Sequence, residues 1–232
     1  MCLARHKFDD RRGGEFVTIV GPSGCGKSSL LGIFAGTLTP TNGEALFLGR
    51  RIEGPSLERG IMMQQATLFP WLTAMDNVAF GLKMQGILKP ERNRRTQDAL
   101  RSVGLESSVR RYPYELSGGM KQRVSLARTL VTNPKIVFMD EPLASVDAFT
   151  KRRMHDLFVK LWKDTGKTFV MVTHDVDEAI RLGTKLIVMG AHPGRLIAQY
   201  NIRDDSCGRE SMEYEREHER LAEVVFELLK NE

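Results

Sequence analysis

No stretch of this 232-residue chain approaches the roughly 20 consecutive apolar residues that a membrane-spanning helix needs. The segment Met1–Asp10 is too polar for a secretory signal. Cysteine is scarce: Cys2, Cys25 and Cys207 are scattered and odd in number, which argues against a disulfide framework and for a reducing compartment. Repeats and low-complexity stretches are missing too. Neither charge sign dominates, since 34 Lys and Arg against 29 Asp and Glu leave a net charge of +5. The basic residues form only short runs such as Arg92–Arg95, not the stripe expected of a nucleic-acid binder. A mild excess of this kind suits a polyphosphate ligand or an anionic protein face. The expectation is a soluble, cytosolic chain, long enough for one α/β domain with room for a subdomain.

The chain is organised around Gly21-Pro22-Ser23-Gly24-Cys25-Gly26-Lys27-Ser28. Before it, Glu15–Val20 is rich in β-branched residues and predicts a buried parallel strand. After it, Ser29–Ala35 is apolar and helix-compatible. Strand, glycine loop and helix are the context that a phosphate-binding P-loop requires. The glycines let consecutive N–H groups curl toward an anion, and the helix N-terminus adds its positive end. Lys27 would reach the β- and γ-phosphates and the Ser28 hydroxyl would ligate Mg²⁺. The bland alternative is a glycine-rich turn that binds nothing.

Only one credible strand fits before that loop, and Met1–Arg12 reads as a loose basic arm or an edge strand. Beyond the first helix, Thr39–Gly43 is a turn, Glu44–Leu48 a strand, and Ile61–Gln64 a strand ending on the polar pair Gln64-Gln65. Ligands sit at the carboxyl ends of strands in open α/β sheets. A Gln there could contact a metal-bound water, although such a residue is more often simply part of a loop. From Leu68 to about Val131 no strand is evident: Met75–Lys83 and a charged segment ending at Val103, with Ala99, Leu100 and Val103 on one face, predict a helical insertion. Phe69-Pro70-Trp71 is either core of that insertion or a docking surface.

Leu116-Ser117-Gly118-Gly119-Met120 precedes the helical stripe Val124, Leu126, Ala127 and Leu130, so Ser-Gly-Gly forms a helix N-terminus. It is either an ordinary Ser cap or a second anion site of the same physical type as the first. Ile136–Met139 is a wholly apolar run, as a central parallel strand should be, ending in Asp140-Glu141-Pro142. Two carboxylates there are costly unless they meet a cation or a proton-transfer task. Asp140 suits Mg²⁺ and Glu141 an attacking water; a solvated loop pair is the alternative. Ser145-Val146-Asp147 turns into the helix Thr150–Asp164, and the strand Thr168–Thr173 ends in His174, either a structural residue or a hydrogen-bond partner of a γ-phosphate. Lys185–Met189 and Leu196–Tyr200 are further strands. The C-terminal helix carries Leu221, Val224, Val225, Leu228 and Leu229 on one face, to be packed on the body.

Taken together, the phosphate loop, Gln64, Leu116–Met120, Asp140-Glu141, Ser145–Asp147 and His174 fall in the order and spacing of the ATP-binding-cassette (ABC) ATPases. The chain resembles that family from Gly14 to about Arg195, and Leu-Ser-Gly-Gly is the element that separates it from other P-loop NTPases. Met120, where many members have Gln, and the run Leu-Phe-Pro-Trp-Leu-Thr-Ala-Met-Asp-Asn-Val resemble the importer branch for nitrate, sulfonate and taurine. The resemblance implies a RecA-like α/β core with a mostly parallel sheet (residues 1–66 and 132–232), a helical signature subdomain (67–131), and N-terminal antiparallel strands that are short or missing.

It implies more than that. Two copies, or this chain and a similar ATPase, would pair head-to-tail, so that Ser117, Gly118 and Gly119 of one close on ATP held by Gly21–Ser29 of the other, with Asp147 in the nucleotide-binding set. Mg²⁺ would be held by Ser28 and Gln64 with Asp140 behind, and Glu141, His174 and Gln64 would act in catalysis. Gln64, Phe69 and Trp71 would face a transmembrane permease, itself fed by a solute-binding protein, with the chain peripheral on the inner face of the membrane and no nucleic acid involved. One departure stands out: the family's adenine-stacking aromatic, some two dozen residues before the loop, has no counterpart, and Phe8 and His6 lie too close to it. The expectation is a truncated N-terminus, or base stacking that is weakened or supplied elsewhere. The alternative function is a soluble ABC-type ATPase acting on nucleic acid or ribosomes, but such members carry coiled-coil insertions or paired cassettes that this chain does not. A P-loop small-molecule kinase would need an acceptor lid and would have no use for Ser117–Gly119.

Overall fold

Strands form where β-branched and aromatic residues run together, and helices where apolar residues recur every third or fourth position. In the computed structural model, which describes residues 14–144, 146–191, 193–202 and 212–230, the elements are β1 (Phe16–Val20), α1 (Lys27–Ala35), β2 (Leu46–Phe47), β3 (Arg50–Arg51), β4 (Arg59–Met62), α2 (Ala74–Met84), α3 (Lys89–Ser102), α4 (Gly118–Leu130), β5 (Ile136–Asp140), α5 (Ala148–Thr165), β6 (Thr168–Thr173), α6 (Val176–Leu182), β7 (Lys185–Gly190), β8 (Arg195–Asn201) and α7 (Met212–Lys230). They fall into two compact units, one of residues 1–55 and 166–232, the other of residues 56–165. The basic arm Met1–Arg12, with His6 and Phe8, lies outside the described residues, as do Cys2, Ser145 and Cys207.

In the first unit β1 lies between two parallel partners, in the order β6-β1-β7-β8. Phe16 pairs with Phe169 and Val20 with Thr173 on one side, while Val17 pairs with Lys185 on the other. All five residues of β1 are buried, which accounts for the unbroken apolar run. Its one polar side chain, Thr18, donates to the Ala179 carbonyl at 2.8 Å and so fastens α6 to the strand. Antiparallel β8 closes the edge beyond β7. The predicted strand Glu44–Leu48 shrinks to the two residues of β2, paired with β3; Leu48 with φ 51° and Gly49 with φ 77° turn the chain there.

Helix α7 packs on the body as expected, but through a rotated face. Ala222 and Val225 join Val176, Ile180 and Val188 in one buried cluster, flanked by Leu221 and Leu229. Val224, assigned to the buried face from spacing, is 40% exposed. The i, i+3, i+4 count gave Val224 precedence over the smaller Ala222, yet close approach to α6 selects the small side chain.

In the second unit β4 and β5 are parallel, Arg59 beside Ile136 and Met62 beside Met139. β4 stops at Met62, two residues short of Gln64, which lies in the exposed segment that follows. Between residues 67 and 131 there are helices and no strand. Thr73 caps α2 by accepting the Asp76 N–H at 3.1 Å. Buried Asn77 then clamps the segment before that helix: its Oδ1 accepts the Phe69 N–H at 2.8 Å, and its Nδ2 donates to the carbonyls of Phe69, Leu72 and Thr73 at 3.0–3.1 Å. Leu100 and Val103 are buried, with Ala99 half-buried beside them.

Candidate active site

The phosphate loop leaves β1 at Val20 and enters α1 at Lys27. Gly24 and Gly26 adopt φ 81° and 97° with open space where a Cβ would lie, so conformation alone requires glycine at these two positions. Gly21 differs, because a Cβ there would fall 2.5 Å from the Met189 carbonyl oxygen. Helix α1 has no side-chain cap and no acidic residue in its first turn, so its positive end and N–H groups face the loop. Ser23, Ser28 and Ser29 are exposed, while Pro22 and Gly26 are half-buried and Cys25 is buried. Lys27 is only 5% exposed. Its Nζ donates to the carbonyls of Gly21 at 2.8 Å and Pro22 at 2.9 Å and lies 3.9 Å from Cys25 Sγ.

Because Val20 and Thr173 are register partners in parallel strands, the residues that follow them, Gly21 and His174, leave the sheet at the same edge. His174 is exposed there. Parallel register does the same in the second unit. Met62 beside Met139 sends Gln64 and the pair Asp140-Glu141 out of one edge, where ligands of open α/β sheets bind. Asp140 and Glu141 are half-buried. Glu141 has φ 42°, a left-handed backbone on a non-glycine residue that also precedes Pro142. Both features are disfavoured, and strain of this kind costs about 1–3 kcal/mol and gathers at functional sites.

The signature turn is built differently. Ser117 is the N-cap of α4, and its hydroxyl oxygen accepts the Met120 N–H at 3.3 Å. Gly118 is exposed with open space around it, whereas a Cβ on Gly119 would meet Thr150 Cγ2 at 2.5 Å. Asp147 is exposed, and its Oδ1 accepts the Thr150 N–H at 3.0 Å; this hydrogen bond holds its carboxyl below the usual aspartate range. Phe69 and Trp71 divide the two alternatives between them. Phe69 is half-buried, 4.7 Å from Phe80 and under the Arg128 guanidinium, while Trp71 is 71% exposed. Burial pulls the Arg128 pKa down from its ordinary value.

Several neighbours of these residues escaped the sequence reading. Gln122 is buried, and its Nε2 donates to the Gln64 carbonyl at 2.8 Å. Gly194 lies against the phosphate loop, where a Cβ would come 2.3 Å from the Cys25 carbonyl oxygen. Thr173 and Glu178 are hydrogen-bonded on either side of His174. No local motif marks any of them; only the register and the turn geometry bring them to the site.

The family model described as ABC transporter matches residues 10–144. The taurine import ATP-binding protein of Roseobacter denitrificans is 47% identical over 202 residues, which cover 87% of this chain and 75% of that relative. Among solved structures, a dimeric bacterial ABC transporter cassette aligns with a TM-score of 0.73 at 34% identity, covering 83% of this chain and 87% of its own. A dimeric post-hydrolysis state of the same cassette, bound to ADP and Pi, aligns over the same shares with a TM-score of 0.72 and 34% identity.

Proposed function

Because this chain belongs to the ABC transporter family of ATPases, we propose that it is the subunit whose ATP hydrolysis drives a membrane importer of taurine-like sulfonates or related small anions. The observation that carries the solute class is the 47% identity, across 87% of the chain, to a taurine import ATP-binding protein. The alternative of a soluble ATPase acting on nucleic acid or ribosomes is not favoured by any relative considered.

In this reading Gly21, Pro22, Ser23, Gly24, Cys25, Gly26, Lys27, Ser28 and Ser29 hold the phosphates of ATP. Lys27 exchanges its carbonyl partners for phosphate oxygens. Mg²⁺ would be held by the Ser28 hydroxyl and the Gln64 amide oxygen, with the Asp140 carboxylate behind them. One carboxylate with neutral oxygens fits an ion that keeps waters and phosphate oxygens in its shell, and no cluster of three or more His, Cys, Asp and Glu forms an all-protein metal cage among the described residues. Bound Mg²⁺ supplies charge neutralisation at the phosphates. Glu141 accepts a proton from water as the water oxygen attacks the γ-phosphorus, the bond to the β–γ bridging oxygen breaks, and ADP leaves. His174 donates a hydrogen bond to the γ-phosphate. In a head-to-tail pair, Ser117, Gly118 and Gly119 of the second copy complete the phosphate contacts, with Asp147 in the same set.

The proposed permease dock is the apolar surface of the helical segment, where Trp71, Met84 and Phe80 are 71%, 63% and 37% exposed. Exposed aromatic and Met side chains favour interfaces, and Gln64 would carry the permease's movement to the nucleotide. Partnership with that permease places the chain peripherally on the inner face of the membrane, with a solute-binding protein acting on the far side.

Reconstitution with a taurine-import permease and its solute-binding protein tests this reading. Taurine uptake into ATP-loaded vesicles is expected, and Glu141→Gln should retain ATP binding while turnover falls at least about 100-fold. Uptake that ignores taurine and other sulfonates would overturn the solute class, and wild-type turnover by Glu141→Gln the assignment of the base.

A further inference from the structure

Glu178 is ionisable and has no part in the scheme above, yet it is 5% exposed. A buried carboxylate persists only where hydrogen bonds compensate its lost hydration. Glu178 Oε2 accepts the Thr173 hydroxyl hydrogen at 2.5 Å, between two buried side chains. The same Thr173 oxygen accepts the Asp175 N–H at 3.1 Å. Asp175 Oδ1 accepts the Glu178 N–H at 3.0 Å, capping α6. The residue before His174 is therefore tied directly to the buried Glu178 carboxylate, and the residue after it to the Thr173 oxygen and the Glu178 backbone N–H, while His174 itself stands exposed. Thr173 is also the register partner of Val20, the last residue before the phosphate loop.

We propose that Glu178 is a positioning residue for His174, acting through the Thr173 hydroxyl to fix the backbone from which the imidazole projects. The inference rests on the reading of His174 as a γ-phosphate ligand. An imidazole on a strand-end tripeptide can swing away with small torsional changes, and displacement of a catalytic group by about 1 Å can cost on the order of 100-fold in rate. A buried acceptor that fixes Thr173, with Asp175 capping the next helix, removes that freedom without touching the nucleotide.

The test is steady-state MgATP turnover by the full chain, with thermal unfolding in parallel, for His174→Ala, Glu178→Ala, Glu178→Gln, Thr173→Val, Thr173→Ser and the combinations with His174→Ala. Glu178→Ala and Thr173→Val are expected to lower kcat about tenfold with KM changed less than about twofold, while Glu178→Gln and Thr173→Ser, which keep acceptor and hydroxyl, stay within about threefold of wild type. In the His174→Ala background the same two losses should shrink below about twofold, because they act through the missing imidazole. Losses that multiply fully with His174→Ala, or no kcat loss in folded Glu178→Ala and Thr173→Val, would overturn the positioning role. If His174→Ala itself leaves kcat unchanged, the γ-phosphate reading fails instead. Should Glu178→Ala not fold, Thr173→Val, which exchanges a hydroxyl for a methyl of similar shape, decides alone.

Discussion

Two helix starts of this chain bear glycines, at α1 and at α4, and they solve different problems. At α1 the glycines are there for torsion angle: Gly24 and Gly26 take φ 81° and 97°, and the helix begins without a side-chain cap. At α4 the cap is a serine, and Gly119 is there for space, with Thr150 Cγ2 2.5 Å from where its Cβ would lie. The first start has no side-chain cap on its N–H groups, whereas the second satisfies one N–H internally through an exposed serine. In the function proposed above, the phosphate loop would therefore cradle an anion by itself, and the signature turn would add contacts to a ligand held by another copy.

Substitution can break that contrast, beginning with the largest effect. Gly119→Ala should destabilise the fold by about 1–3 kcal/mol through overpacking, and Thr150→Ser, which removes the clashing methyl, should restore most of the loss in urea melts. Gly26→Ala should lower MgATP affinity about 5- to 30-fold, since a left-handed Ala costs about 1–2 kcal/mol and the loop would relax out of its nucleotide-binding form; equilibrium titration with a fluorescent ATP analogue measures it. Ser117→Ala should cost about 1 kcal/mol as a lost cap while leaving ATP affinity of the single chain unchanged; a fall in that affinity would mean the two starts are not independent. The smallest effect concerns a third helix start. The Asp147 carboxyl is held below its ordinary value by the Thr150 N–H, so its stabilising contribution is present above that ordinary value and disappears as pH falls through the lowered one. Acid unfolding of Asp147→Ala should therefore show a shallower dependence on pH than wild type over that interval.

Much of this was legible in the sequence because buried parallel strands are written as apolar runs. β1, β5 and β6 appear within a residue or so of their expected limits, and β5 and β6 carry Asp140 and Thr173 at their ends. The losses have physical causes. Two-residue strands such as β2 and β3 carry no period to detect, and the face of α7 depends on the surface it meets, so Ala222 displaced Val224. Thr173 and Glu178 are five positions apart, across a strand end and the first turn of a helix, where no single period applies. The glycine at 194 is visible as a letter, but its closeness to Cys25 depends on a turn 169 positions further along the chain.

The hydrogen bonds from Lys27 to the Gly21 and Pro22 carbonyls make this lysine a brace of the very loop it serves. Removing its side chain strips two carbonyls of their donor as well as the phosphate contact proposed above, so a lysine-to-alanine variant confounds chemistry with architecture. A milder exchange that keeps a cation, Lys27→Arg, confounds them too, since it puts a planar five-donor fork in place of a compact ammonium at a position only 5% exposed. For an ATPase of this build, the Glu141 and His174 variants are the cleaner instruments for dissecting hydrolysis.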